Sequence, residues 1–189
     1  QVLSNVLDDF EQLLYVHGTA RGVESGRTLS LEFRERVADA SPEQLAPLKT
    51  DAEVTDAELA AHDVFVLGGA EDNALVARLA QKNLLVEPGR RFFRWRGQTY
   101  GGAEDGLAVA LPNPWNPKRT LYLYLANSGL ELWHMTRAFK PGTLQGWALF
   151  KGGEVRAKGY HDVDALAVEL PPPPPAPRVA PLTTADGDL

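Results

Sequence analysis

Cysteine is absent from this chain of 189 residues. That excludes disulfides, thiolate metal sites and thiol catalysis. It leaves the compartment open, because a reducing cytosol and many secreted proteins both suit such a composition. An excess of positive charge is absent too: 19 Lys and Arg stand against 25 Asp and Glu, for a net charge of −6. Nucleic-acid binders usually carry a basic face, so no nucleic-acid partner is expected. No apolar run approaches the roughly 20 residues of a membrane helix, and the sequence contains no signal-peptide pattern. It begins at Gln1 rather than Met, as expected of a processed or excised domain. Complete catalytic signatures are also missing. There is no G-x-G-x-x-G, no Walker lysine, no G-x-S-x-G elbow and no H-E-x-x-H or H-x-x-x-H pair. Neither a cofactor nor a metal is expected.

What is present suffices for a core: 44% of residues are hydrophobic. Short apolar runs alternate with helical patterns. Strands are expected at Gln12–Val16, weakly at Ala46–Thr50, at Asp63–Leu67, and most strongly at Gly106–Leu111 and Thr120–Ala126. Leu29, Phe33 and Val37 recur every four residues and predict a helix over about 24–38. Ser41-Pro42-Glu43-Gln44 and Thr55-Asp56-Ala57-Glu58 read as capping boxes, the second opening a helix to about His62. Asp72 or Asn73 starts a helix that turns Leu75, Val76 and Leu79 inward. Leu130–Phe139 is helical in pattern, with Leu132, Met135, Thr136 and Phe139 grouped.

Hairpins are expected across Arg96-Gly97 and across Gly152-Gly153. The basic stretch Gly89-Arg90-Arg91-Phe92-Phe93-Arg94-Trp95-Arg96 reads as an amphipathic strand with alternate arginines facing water, the alternative being RNA contact. Five consecutive prolines from Pro171 open a segment that cannot bury a core. The expected organisation is an α/β domain over residues 1–170 followed by a disordered proline-rich tail or linker over 171–189. Alternating strands and helices predict a flavodoxin-like or Rossmann-like parallel sheet of about five strands, in the order 2-1-3-4-5, with an inserted β-hairpin.

In such a sheet ligands bind at the carboxyl ends of the strands. That edge is expected to collect His17, Gly18, Thr19, Gly68, Gly69, Asn73, Asn113, Trp115, Asn127 and Ser128. Gly68-Gly69 before a helix could expose backbone N–H groups to an anion, or simply permit a tight turn. His17 could act as a base toward Ser128 or Thr19, or serve as a loop hydrogen-bonder. Trp115, between two Asn-Pro steps, is either folded back as a plug in a rigid corner or part of a rim for a ligand or neighbouring domain. Asn73, Asn113 and Asn127 could bind a ligand or tie the loops together.

The motifs Leu13-Leu14-Tyr15-Val16-His17-Gly18-Thr19, Lys49-Thr50-Asp51-x-Glu53-Val54-Thr55, Val64-Phe65-Val66-Leu67-Gly68-Gly69-x-x-x-Asn73 and Pro112-Asn113-Pro114-x-Asn116-Pro117 carry a resemblance. Together they resemble an accessory α/β domain of bacterial multidomain hydrolases, found downstream of esterase-like or prolyl-oligopeptidase-like modules. A similar theme occurs in archaeal surface-layer proteins. The resemblance spans roughly Val2 to Lys151. This chain departs from the surface-layer version in having Ala70 where proline is favoured, and in its proline tail. It implies a non-catalytic accessory or interaction domain of a larger, exported hydrolase, periplasmic or extracellular, whose partner is another domain or protein. The alternatives are an esterase-like or peptidase-like hydrolase using the strand-end crevice, and a small-molecule or nucleotide binder at Gly68-Gly69.

Overall fold

A computed structural model of the chain describes residues 3, 12–21, 23–38, 46–82, 84–138 and 145–161. The expected capping box at Ser41, the inward position of Phe139 and the proline tail lie outside the described residues, as does the side chain of Val37. The elements run β1 (Leu13–His17), α1 (Val23–Ala38), β2 (Leu48–Thr50), α2 (Asp56–Ala61), β3 (Asp63–Leu67) and α3 (Ala74–Leu79). They continue through β4 (Val86–Gly89), β5 (Phe92–Trp95), β6 (Gln98–Tyr100), β7 (Asp105–Asn113) and β8 (Asn116–Ala126). The last are α4 (Gly129–Ala138), β9 (Trp147–Lys151) and β10 (Glu154–Gly159).

The fold is α/β. A seven-stranded mixed sheet in the order β10-β9-β7-β8-β3-β1-β2 forms its centre, and β4-β5-β6 make a separate antiparallel sheet. β2, β1, β3 and β8 are mutually parallel where they pair. β7, β9 and β10 are joined to them and to one another by antiparallel pairings.

Strand residues alternate between two cores. Tyr15, Phe65, Tyr122 and Tyr124 point to one face, where Phe33 of α1 and Leu132 and Met135 of α4 cover them. Leu14, Val16, Val64, Val66, Leu121 and Leu123 point to the other. There Leu59 of α2, Leu75, Val76 and Leu79 of α3, and Phe93 and Trp95 of the small sheet close over them. Because both faces are covered, β1 and β3 read as continuous apolar runs rather than as alternating ones. On the first face the Phe65 ring stacks between Tyr15 at 5.1 Å and Tyr122 at 5.8 Å.

The wholly parallel sheet in the order 2-1-3-4-5 is corrected by this topology. The parallel half has the expected start, β2-β1-β3, but β8 follows β3, and β7 lies beyond it running the other way. The physical reason is chain length. A parallel crossover needs a dozen or more residues, and only Pro114 and Trp115 separate β7 from β8. A two-residue connection can close only an antiparallel hairpin. The inserted hairpin is a three-stranded unit, since β4 pairs with β5 as well. Its Arg96-Gly97 turn has φ of 49° and 78°, the two left-handed residues of a tight hairpin turn.

Helix α2 begins as its sequence demands. Thr55 Oγ1 accepts from Glu58 N at 3.3 Å, and Thr55 N donates to Glu58 Oε2 at 3.0 Å, a complete capping box. Thr55→Ala should cost about 1 kcal/mol, read as a lowered urea midpoint. Glu58 also accepts from the Lys49 ammonium. That bond, and then those from Thr55, pull its carboxyl down from 4.5 to about 2. A folded-state pKa below the unfolded one stabilises above the unfolded value, and the gain is lost as pH falls through the folded one. Urea midpoints measured from pH 5 down to pH 2 should therefore fall less steeply in Glu58→Gln than in the parent chain. Equal slopes would remove this role.

Candidate functional site

The ends of β1, β3 and β8 meet at one edge of the sheet, since these strands are parallel. His17, Gly18, Thr19, Gly68, Gly69, Asn73, Asn127 and Ser128 are brought to that edge, as expected. Asn113 and Trp115 are not. They lie at the opposite edge, because β7 runs antiparallel and its last residues meet the start of β3 and the end of α2. Their placement in the crevice is corrected for the same reason as the strand order.

At the carboxyl edge the loops are pressed together. A Cβ on Gly18 would collide with the Asp72 carbonyl and with the Asn73 backbone, so only glycine fits there. Ala20 N donates to that same Asp72 carbonyl at 3.1 Å. Gly68 sits at φ 109°, a left-handed conformation that favours glycine, and its N–H reaches Tyr124 O at 3.0 Å. The Gly69 carbonyl accepts from Asp72 N and Asn73 N at 3.1 and 3.0 Å. The glycine pair therefore builds the turn into α3, and the Gly68 amide is already bonded to β8.

The polar side chains of this edge are committed to structure. Asn73 is fully buried and caps α3, accepting from Leu75 N at 2.9 Å and donating to Leu67 O at 3.2 Å. Thr19 Oγ1 donates to Asp51 Oδ1 at 2.7 Å, while Asp51 Oδ2 takes the Ala74 N–H at 2.6 Å. Asp51 thus ties the β1 loop to the start of α3, a bridge that the sequence reading did not assign. The His17 ring is buried with Nδ1 at 3.2 Å from Gly18 O, a contact in which Nδ1 must carry the proton. Asn127 donates to Tyr100 O and Gly102 O at 3.1 and 2.9 Å, holding the small sheet. Ser128 Oγ donates to Ala103 O at 2.6 Å and accepts from Glu131 N at 3.1 Å, so it caps α4. No bond joins His17 to Ser128 or Thr19 among the described residues.

A cleft of about 230 Å³ lies between the loops after β1 and β3 and the first turns of α1 and α4. Gly18, Arg21, Leu29, Gly68, Asp72 and Leu132 line it, so only two of the expected residues do. Burial, reinforced by neighbouring Glu71, pushes the Asp72 carboxyl above its ordinary value. Glu71 goes the other way: hydrogen bonds from Arg90, and next from Arg91, hold it below the ordinary range. Arg21 adds a third guanidinium at 3.0 Å. At the far side of α4, Glu131 is buried and accepts the Gly153 N–H at 3.0 Å. No group of three His, Asp or Glu side chains able to hold a metal occurs among the described residues.

At the opposite edge the Asn-Pro-Trp-Asn-Pro motif has a structural explanation. A helix leaves its last carbonyls without intrahelical partners. Asn113 Nδ2 donates to Leu59 O and His62 O at 2.6 and 3.1 Å, and Asn116 Nδ2 donates to Ala60 O at 2.8 Å. Trp115 is half-buried against the second core, with Arg78 and Lys82 at 5.4 and 5.2 Å from its ring. It is the plug of a rigid corner.

No known family model matches the chain, and no characterised protein aligns with it significantly.

Asn113→Ala should cost about 1–3 kcal/mol, because it leaves the buried Leu59 carbonyl, and the part-buried one of His62, without the amide that bonds them, and urea denaturation would measure it. Gly18→Ala should destabilise comparably, by roughly 1–3 kcal/mol, since the obstacle is backbone and cannot swing aside. A change below about 0.5 kcal/mol in either variant would count as a neutral surface substitution and contradict the packing described.

Proposed function

We propose that this chain is a non-catalytic accessory or interaction domain of a larger hydrolase. The observation that carries this reading is the commitment of every expected nucleophile and base at the strand-end edge. Thr19 donates to Asp51, Ser128 donates to Ala103 O, and His17 is turned to its neighbour's carbonyl. A general base must reach the proton it removes, and a nucleophile needs that base beside it. The hydrolase context, and with it export, rests on the resemblance of the Gly-Gly and Asn-Pro motifs. The parallel β2-β1-β3-β8 half is the part of the sheet that supports a Rossmann-like reading.

A second reading has one observation in its favour. The cleft of about 230 Å³ lies at the crevice between the ends of β1 and β3, where open α/β sheets hold small ligands.

The test is kinetic. His17→Ala and Ser128→Ala should leave turnover of an ester and peptide panel by the intact protein unchanged, within about 0.3 kcal/mol of barrier or less than twofold in rate. Folding is checked in parallel by circular dichroism. Loss of turnover by either folded variant would replace the accessory reading with the enzymatic one.

A further inference from the structure

The cleft of about 230 Å³ at the carboxyl edge opens where the chain parts to two faces. It leaves β1 into α1, over the first core, and leaves β3 into α3, over the second. β1 and β3 are neighbours in the sheet. Adjacent strands whose connections turn to opposite faces leave a crevice between their loops, and open α/β sheets bind ligands there.

The lining narrows the class of ligand. The volume lies below the roughly 300–1,000 Å³ of sites for drug-sized molecules. Among the described residues no aromatic ring lines the cleft, so a nucleobase finds no stacking partner. No Ser, Thr or His lines it either, so the cleft offers binding without a nucleophile.

Three kinds of contact remain. Leu29, Leu67 and Leu132 make an apolar wall. Arg21 gives one bond, at 3.0 Å to Glu71, from a guanidinium that carries several donors. Asp72 is the one carboxylate in the lining, and among the described residues it has no ion-pair partner. Arg21 and Arg91 act on it across space, since both bond Glu71 instead. Burial outweighs them and holds the Asp72 carboxyl above its ordinary value. An ammonium is the group this carboxylate lacks.

Two glycines at the cleft have no packing reason. Gly26 lies inside α1 and Gly129 opens α4. A Cβ on Gly26 would meet only the Gly18 carbonyl, at 3.9 Å, and one on Gly129 would meet nothing within 4 Å. Neither has the left-handed φ that asks for glycine. Glycine inside a helix is destabilising relative to alanine. Bare backbone at these positions keeps the cleft open and admits close approach of a ligand.

We infer that this cleft binds a small amino acid with an apolar side chain, its ammonium on Asp72, its carboxylate on Arg21 and its side chain against Leu29, Leu67 and Leu132. This rests on the small-ligand reading of the cleft and names its ligand class. One charge of each sign in the lining suits a zwitterion. A plain anion would face Asp72, and a plain cation would face Arg21. Arginine forks match carboxylate geometry, and both ends make charge-assisted bonds.

The test is isothermal titration calorimetry of the 189-residue chain with L-leucine, isocaproate and isoamylamine. The last two are leucine without its amine and without its carboxylate. Leucine should bind, and each truncated compound should bind roughly tenfold more weakly or not at all. Asp72→Asn keeps the shape of the side chain and should erase the preference for leucine over isocaproate. Gly26→Leu, which introduces a good helix former, should hold or raise the melting temperature while weakening leucine binding by roughly tenfold or more. No binding of leucine, equal binding of isocaproate or isoamylamine, or a preference that survives Asp72→Asn would overturn the proposal. The failures are distinguishable. A truncated compound that matches leucine and is lost in Gly26→Leu would remove the amino acid and leave a small-ligand cleft. No binding of any of the three would remove both.

Discussion

The two-residue turn at Pro114-Trp115 constrains the rest of the architecture. It forces β8 back along β7, and β8 then takes the place beside β3 that a separate parallel strand would have filled. From there outward the sheet grows antiparallel through β7, β9 and β10. The turn is fixed by its grip on a helix. Asn113 and Asn116 supply donors to Leu59, Ala60 and His62, carbonyls at the end of a six-residue helix that has no further turn to bond them. Each buried carbonyl left unpaired would cost about 1–3 kcal/mol, a large part of the margin by which a domain is stable. Hairpin and helix therefore stabilise each other, and the sheet's change of direction follows from both.

Much of this was legible as local pattern. The limits of β3, the capping box at Thr55, a helix start at Asp72 or Asn73 and the hairpin turn at Arg96-Gly97 each depend on a few neighbouring residues, and the structure places them there, with Asn73 as the cap. What failed was strand direction. Gly106–Leu111 and Thr120–Ala126 are apolar in either orientation, and composition carries no sign of direction. The length between them did carry it, because residues 112–119 are too few for a parallel crossover. β4 was missed because Val86-Glu87-Pro88-Gly89 contains a proline and reads as a break, although proline is tolerated at a sheet edge. The alternation in the arginine stretch holds only from Phe92 onward, where buried Phe93 and Trp95 alternate with exposed Arg94. Arg90 and Arg91 belong to the turn before it.

The candidate site was half legible. Residue types at strand ends indicated which groups would gather, and eight of the ten expected residues do lie at the carboxyl edge. Their partners were not legible, because the bonds that decide their roles span long stretches of chain. Thr19 meets Asp51 across 32 positions, Asn127 meets Tyr100 across 27, and Arg21 meets Glu71 across 50. A sequence displays a hydroxyl or an amide but not whether something else has already claimed it. The three asparagines illustrate this: each ties loops together, yet not to one another, and one does so at the opposite edge.

The distribution of committed and uncommitted groups is the physical basis of the proposed accessory role. A catalytic base must be aimed, partnered and free to take a proton; at the carboxyl edge the aimed groups are already bonded to the scaffold. Binding by charge is less demanding, since a guanidinium can hold one carboxylate and still offer donors to another. The groups with spare capacity are the arginines on exposed loops, outside the cores, where their movement does not disturb packing. The proposed accessory role rests on this division, with the polar side chains of the carboxyl edge spent on holding its own loops.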